Sequence, residues 1–476
     1  MAMESAPDPA DKPPVRAPED GAVTRRGNAT PFHSRVRAMK HGAETDQDLS
    51  WFKHKFHVMI FTFSGKPVYT RFGTEDGITS TTAAFSAIVA KMDQFFHSGM
   101  GKNKPDNLRY MRAGRSRIVF LEKGPLWCVC ISKNGESSKD VIKLLEYVHL
   151  QVVLILTTSV ERTIEQRPNF DARGLLMGTK PVLSNLTSWC LQDMFLHEDA
   201  FEALPLKPDV RHLVTDHLKS KVQGIILGLV LAGHRVVAMA QHKQFKSHPQ
   251  DICVLVNFIM SSSSLRTAEA WTPVCLPHFH NAAFAYAYVS FFEDSDVAVV
   301  FLSSMDEADQ FYAISQHAHH LKNMLVSTNT LSQIESAILQ TPVELRSGLS
   351  ADANRDLPDN QLALLLDRVI HFAYFVPATS QVFSSAVSPA YRDKARRKML
   401  FRNYGRARAM LAGGPMPCQV CLASDRECYY AWHNSDFHFY LAVPRGISTQ
   451  VVGQAYTWLK TYESMFFLHV ANVVSR

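Results

Sequence analysis

A chain of 476 residues and 53.5 kDa exceeds what one hydrophobic core usually organises, and three domains suit its length. With 46% hydrophobic and 20% charged residues the composition is that of an ordinary globular protein, and a net charge of +6 is too small for a dedicated nucleic-acid binder, so any basic contact must be local. Eight cysteines, without a basic start leading into an apolar signal core, point to reduced thiols in the cytosol, and no charge-free apolar run of about 18 residues marks a membrane span.

Residues 1–50 are rich in Pro, Ala, Asp, Glu and Arg, lack hydrophobic periodicity and are predicted to form a disordered tail. A strand follows in which Phe56, Val58 and Ile60 occupy one register and Met59, Phe61 and Phe63 the other, so it must be covered on both faces. Ser64, Gly65, Lys66 and Pro67 supply the turn into a second strand over 68–72. Phe85, Ile88, Val89, Met92 and Phe96 recur at helical spacing and predict a helix over 79–98. Strands over 108–112, 117–122 and 126–131 come next, and then helices over 138–165 and 180–194.

The same plan returns after a short amphipathic helix over 209–219. Strands over 225–231 and 235–240 flank Ala232, Gly233 and His234, and a helix opening at Pro249 carries Ile252, Leu255, Val256 and Ile259. Strands over 271–276, 285–292 and 297–303 and a helix over 306–323 complete it. A polar linker over 341–360 leads to a looser third copy, with strands at 370–376 and 381–386, a basic helix over 389–411, a meander at 418–423, 428–433 and 437–443, and a closing helix. The expected fold is α/β: three units, over 51–200, 205–340 and 361–476, each a mostly antiparallel five-stranded sheet flanked by helices.

Units of this β-β-α-β-β-β-α order resemble longin (roadblock/longin-like) domains, and the local wording resembles the SAND family, the Mon subunit of the Mon–Ccz vacuolar fusion complex. The resemblance runs from about residue 51 to the C-terminus. It rests on Ser64, Gly65, Lys66, Pro67, Val68 and Tyr69 followed by Gly73 and Glu75; on Trp271, Pro273, Cys275 and Pro277 followed by Phe279; and on Trp458, Leu459 and Lys460 with Phe466 and Phe467. His278 departs from the lysine common there.

The resemblance implies one subunit of a heterodimeric guanine nucleotide exchange factor acting on the late-endosomal and vacuolar Rab GTPase, with a Ccz-type longin partner and an upstream early-endosomal Rab as a further candidate. It implies a cytoplasmic protein, peripheral on late endosome, vacuole or lysosome. It is not a bond-making or bond-breaking enzyme and has no cofactor. The first unit would build the platform for GTPase and partner, with Ser64, Gly65, Lys66, Pro67, Lys91 and Gln94 as candidate residues. A longin-type trafficking adaptor or Rab effector without exchange activity is the alternative.

Arg392, Lys394, Arg396, Arg397, Lys398, Arg402, Arg406 and Arg408 form a local cation run against one acid, Asp393. Several basic side chains near an anionic leaflet, each worth on the order of 1 kcal/mol, could hold the protein on phosphoinositide-bearing membrane. A solvated face or an acidic partner surface would use the same residues. Nucleic acid is not expected, because no aromatic platform accompanies the run.

Cys418, Cys421, Cys428 and His433 imitate a zinc set, but residues three apart on a strand point to opposite faces. His317, His319 and His320, and His278 with His280, lack a carboxylate or cysteine at a recognisable spacing. No nucleophile elbow, phosphate loop, dinucleotide fingerprint or His-Glu-x-x-His occurs.

Overall fold

A computed structural model describes residues 41–99, 107–167, 170–192, 198–339, 369–385, 387–388, 391, 393–447, 450–461 and 463–473. The expected tail before residue 41, the linker over 341–360 and Arg392 lie outside these residues.

The first unit comprises α1 (Leu49–Lys53), β1 (Phe56–Thr62), β2 (Pro67–Thr70), α2 (Thr79–Gly99), β3 (Tyr110–Ala113), β4 (Ser116–Lys123), β5 (Leu126–Ser132), α3 (Ser138–Leu156), α4 (Ser159–Gln166) and α5 (Lys180–Cys190). Its sheet runs β2-β1-β5-β4-β3. The two registers of β1 serve two cores. Phe56, Val58 and Ile60 join the cluster that contains α3, while Met59 and Phe61 pack with Phe85 and Val89 of α2. Phe63, expected to continue the second register, is exposed and leans on Trp127.

After β6 (Phe201–Glu202) and α6 (Pro208–Leu218), the second unit contains β7 (Ile225–Ala232), β8 (Arg235–Gln241), α7 (Pro249–Ser261), β9 (Ala270–Leu276), β10 (His280–Phe291), β11 (Val297–Ser303), α8 (Ala308–Ser327) and α9 (Thr330–Leu339). The third contains β12 (His371–Val376), β13 (Gln381–Ser384), α10 (Lys394–Leu411), β14 (Cys418–Ala423), β15 (Glu427–His433), β16 (His438–Pro444), α11 (Gln450–Thr461) and α12 (Glu463–Phe466), before the final β17 (Ala471–Asn472). In each unit the five main strands stand in the same order, second, first, fifth, fourth, third.

Two short strands cross between units. β6 extends the third sheet by parallel pairing with β13, and β17 extends the second by pairing with β8, so neither belongs to the sheet its sequence neighbours form. The first and second units share one core, in which α3, α5 and α7 lie against each other and β9 rests on α3.

Three expectations are corrected. Residues 41–50, read as tail, fold onto the first unit: the Asp46 carboxylate accepts from Ser80 Oγ, Thr81 N and Thr81 Oγ1, and the Asp46 amide donates to Gly77 O at 2.9 Å. Polar anchoring of this kind leaves no hydrophobic period to read. The single helix expected over 138–165 is two, bent by 91° where Thr157 adopts a φ of 59°. The basic helix starts at Lys394, where the Asp393 carboxylate caps it by accepting from Arg396 N at 3.3 Å.

Among the described residues no single helix is long and apolar enough to cross a membrane, and the bent pair that passes by length and composition is a core element, with α3 mostly buried. All eight cysteines are free thiols.

Arg211 of α6 ties the second unit to the end of the chain. Its guanidinium, only 6% exposed, donates to Val237 O at 3.0 Å, Leu204 O at 2.8 Å and Met465 O at 2.8 Å. Burial pulls its pKa down to about 10, so it remains a cation at neutral pH. Arg211→Met would strand the Val237 and Leu204 carbonyls at about 1–3 kcal/mol apiece, Met465 O keeping its 3.0 Å hydrogen bond from Leu206 N, and should destabilise the chain by roughly 2–5 kcal/mol in urea denaturation.

Candidate functional site

The first candidate surface is the β1–β2 turn with α2. Gly65 turns the chain at φ 81° and donates to Thr62 O at 2.8 Å, and Lys66 O accepts from Thr62 N at 2.9 Å. The turn is clamped to α2: Gly65 O accepts from Thr82 Oγ1 at 2.8 Å and Phe63 O from Ser86 Oγ at 2.6 Å. A side chain at Gly65 would stand 3.2 Å from Ala83 Cα, so the close approach suits glycine. Gly65 and Pro67 are buried, while Ser64, Lys66, Lys91 and Gln94 are exposed, so the structure brings turn and helix together into one surface. Between them α2 exposes Ala83, Ala84, Ala87 and Ala90, bracketed by exposed Phe63 and Phe95. The sequence reading named Lys91 and Gln94 on the outward side of this helix but missed the alanines between them and the turn.

The second candidate surface is α10. Its inward stripe, Leu400, Tyr404, Ala407 and Leu411, is buried against the third sheet, and Tyr404 Oη donates to His371 O at 2.9 Å. The expected row of basic residues does not face solvent uniformly. Arg396 and Arg406 are exposed, Arg397 stacks over Phe401 at 5.8 Å, and Lys398 and Arg402 are half-buried. Only the backbone of Lys394 is described.

Arg408, half-buried, turns toward the first unit, pairing with Asp140 at the start of α3 and approaching Glu198 Oε1 at 3.7 Å. Burial on its own would raise the Glu198 carboxyl. The contact with His438, the charge of Arg408 and a 2.9 Å hydrogen bond from Tyr440 Oη outweigh it and hold the pKa down at about 2. Arg408 is therefore a bolt between the first and third units, and its expected place in a membrane-facing patch is corrected.

Beside that bolt lies a cavity of about 310 Å³ between the units, lined by Lys398, Arg402, Arg406 and Arg408 of α10 and by Arg117 and the Gly135–Ser137 loop of the first unit. Arg117 donates to Glu136 O and so fixes the loop that caps α3. Five cations face two carboxylates, Glu136 and Asp140, leaving a positive cleft. No sequence signal could have joined Arg117 to α10.

Trp271, Pro273, Cys275, Pro277 and Phe279 lie on and just after β9. Trp271 stacks on Tyr286 at 5.8 Å, Pro273 is exposed, Cys275 is buried with its thiol on His280 O at 3.3 Å, Pro277 is half-buried, and Phe279 packs on Phe245 at 4.8 Å. His278 gives both its amide and Nδ1 to the buried Asp251. Two residues beyond Phe279, the Asn281 carbonyl accepts two hydrogen bonds from Thr158 of the first unit, at 3.0 and 2.9 Å. This block fastens the second unit to the first; it holds no reactive constellation.

Residues 56–186 match the family model described as the first longin domain of FUZ, MON1 and HPS1, and residues 224–323 match the second longin domain of the same three proteins. The vacuolar fusion protein MON1 homolog of Arabidopsis thaliana is 31% identical over 457 residues, covering 92% of this chain and 73% of its own length. The homolog of Oryza sativa is 29% identical over 465 residues, covering 92% and 79%. The MON1 homolog A of Gallus gallus is 26% identical over 462 residues, covering 95% and 79%.

If Arg408 is a bolt and Arg406 a surface cation, Arg408→Ala should cost roughly 1.5–3 kcal/mol in chemical denaturation by removing the charge partner of Asp140, Glu198 keeping its contacts with Tyr440 and His438. Arg406→Ala should stay within about 0.5 kcal/mol of the parent.

Proposed function

The chain belongs to the MON1 family of vacuolar fusion proteins, and on that premise we propose that it is one subunit of a heterodimeric guanine nucleotide exchange factor for the late-endosomal Rab GTPase, working at the surface of late endosome or vacuole. The observation that carries this reading is the α2 face. Ala83, Ala84, Ala87 and Ala90 expose an apolar helix surface at the clamped β1–β2 turn, with Lys91 and Gln94 alongside. A small-residue face allows a partner's backbone to approach closely, and it suits a second longin-type subunit and a GTPase sharing one platform.

Exchange needs no catalytic constellation. A factor that binds the nucleotide-free GTPase more tightly than the loaded one weakens nucleotide binding by the same coupling free energy. An adaptor or effector built on the same surface would instead prefer the GTP-loaded form.

Membrane attachment is assigned to the exposed and cavity-lining cations of α10, now without Arg408. Arg396, Lys398, Arg402 and Arg406 remain to meet a phosphoinositide surface.

Release of fluorescent GDP from the late-endosomal Rab should accelerate only when this chain is co-purified with a Ccz-type partner, and Ala87→Asp should abolish that acceleration while leaving the fold intact. A stable pair that prefers the GTP-loaded Rab and leaves release unchanged would put the adaptor reading first. In flotation with phosphatidylinositol-phosphate vesicles, the triple variant Lys398→Glu, Arg402→Glu, Arg406→Glu should bind at least about a hundredfold more weakly, given about 1 kcal/mol per cation near the surface. Unchanged flotation would remove α10 from the membrane contact.

A further inference from the structure

Three side chains at one edge of the first unit converge although nothing in the exchange reading employs them. His41, Glu44 and His54 place three ligand atoms within 4.8 Å of one another. His41 Nδ1 lies 3.0 Å from Glu44 Oε1, and His54 Nε2 lies 2.7 Å from Glu44 Oε2.

Their backbones are fixed independently of these contacts. Gly73 N donates to His41 O at 2.9 Å, Thr74 N to Glu44 O at 3.3 Å, and His54 N to Trp51 O at 3.2 Å. The chain passes so close at Gly73 that a Cβ there would overlap the Glu44 carbonyl. The His54 ring lies flat on Phe72, with centroids 3.8 Å apart and planes 1° from parallel. His57, 3% exposed, has its ring edge-on to that of His54 at 5.8 Å, and its Nδ1 has no hydrogen-bond partner among the described residues.

We propose that His41, Glu44 and His54 form a zinc site that clips residues 41–48 onto the first unit, with water or a further donor in the fourth position. Two imidazole nitrogens and one carboxylate oxygen are a donor set that zinc favours, whereas calcium and magnesium require oxygen-rich shells. Bonds of about 2.0–2.2 Å in tetrahedral geometry would set neighbouring ligand atoms roughly 3.3 Å apart; the two imidazole nitrogens now stand 3.0 and 2.7 Å from different oxygens of Glu44, and with one ligand atom from each residue the three lie within 4.8 Å, a spread that side-chain rotation closes. Zinc would take the place of the ring protons that now point at Glu44, each neutral imidazole carrying its one N–H on the other nitrogen, and binding weakens in acid because a protonated imidazole cannot ligate. Phe72 and the main-chain anchors hold the ligands in place before the ion arrives, as the shell around a metal site does.

The test is titration of the full chain with zinc against a chromophoric chelator, comparing the parent with Glu44→Gln, His41→Ala, His54→Ala and, as a control for adventitious thiol binding, Cys421→Ser. The expected result is one zinc per chain that each of the first three substitutions weakens by at least about tenfold, since even outer-shell losses cost about 10–100-fold. Cys421→Ser should leave it unchanged. X-ray absorption on the parent should give a nitrogen and oxygen shell free of sulfur. Equal zinc affinity in the parent and Glu44→Gln, or sulfur in the shell, would overturn the proposal and leave the trio as a hydrogen-bonded contact.

Discussion

Asn257 holds the arrangement together. Its side-chain amide, fully buried on α7, donates to Gln151 Oε1 of α3 at 2.8 Å and to Val182 O of α5 at 3.1 Å. Three helices from two units are thereby set in one register inside an otherwise apolar core. A slip of any of them would bury an unpaired amide, so the contact selects one packing where hydrophobic side chains alone would tolerate several. Because α3 covers one face of the first sheet and α2 the other, fixing α3 also decides which face of the first unit turns outward. The exposed α2 surface is a consequence of that burial.

The periodicities of the strands and helices made the threefold plan legible, because each sheet is covered on at least one face and its registers read directly as burial. The same logic could not see exchange between units. β6 and β17 are two residues long, and what places them is the backbone of β13 and β8, not their own side chains. The break between α3 and α4 was hidden for a related reason. Apolar residues continue on both sides of Thr157, and only its positive φ, imposed by the surrounding packing, turns the chain.

The candidate surfaces divide along the same line. Residues of the β1–β2 turn were readable because Gly65 and Pro67 announce a turn. The outward face of α2 carried alanines, which fit a helix anywhere and signal nothing on their own. Residues 41–50 looked like tail because their order comes from carboxylates, imidazoles and main-chain groups, a chemistry without a period.

The basic helix illustrates how a charge count misleads. Spacing alone put its cations on one helical surface, yet a helix that must bury Leu400, Tyr404, Ala407 and Leu411 against its own sheet and also meet α3 has little circumference left for solvent. One position of the run, Arg408, falls at that second contact. There the adjacent unit supplies Asp140 and Glu198, so the cation is neutralised in the interior rather than offered to a membrane. Gly405, one turn earlier, lets the helices approach until a Cβ would lie 3.3 Å from the Asp140 carboxylate. Lys398, Arg402 and Arg406 line the cleft beside α3. Whatever anion they meet is thus presented at the junction of the first and third units, where binding also bears on how firmly those units are joined.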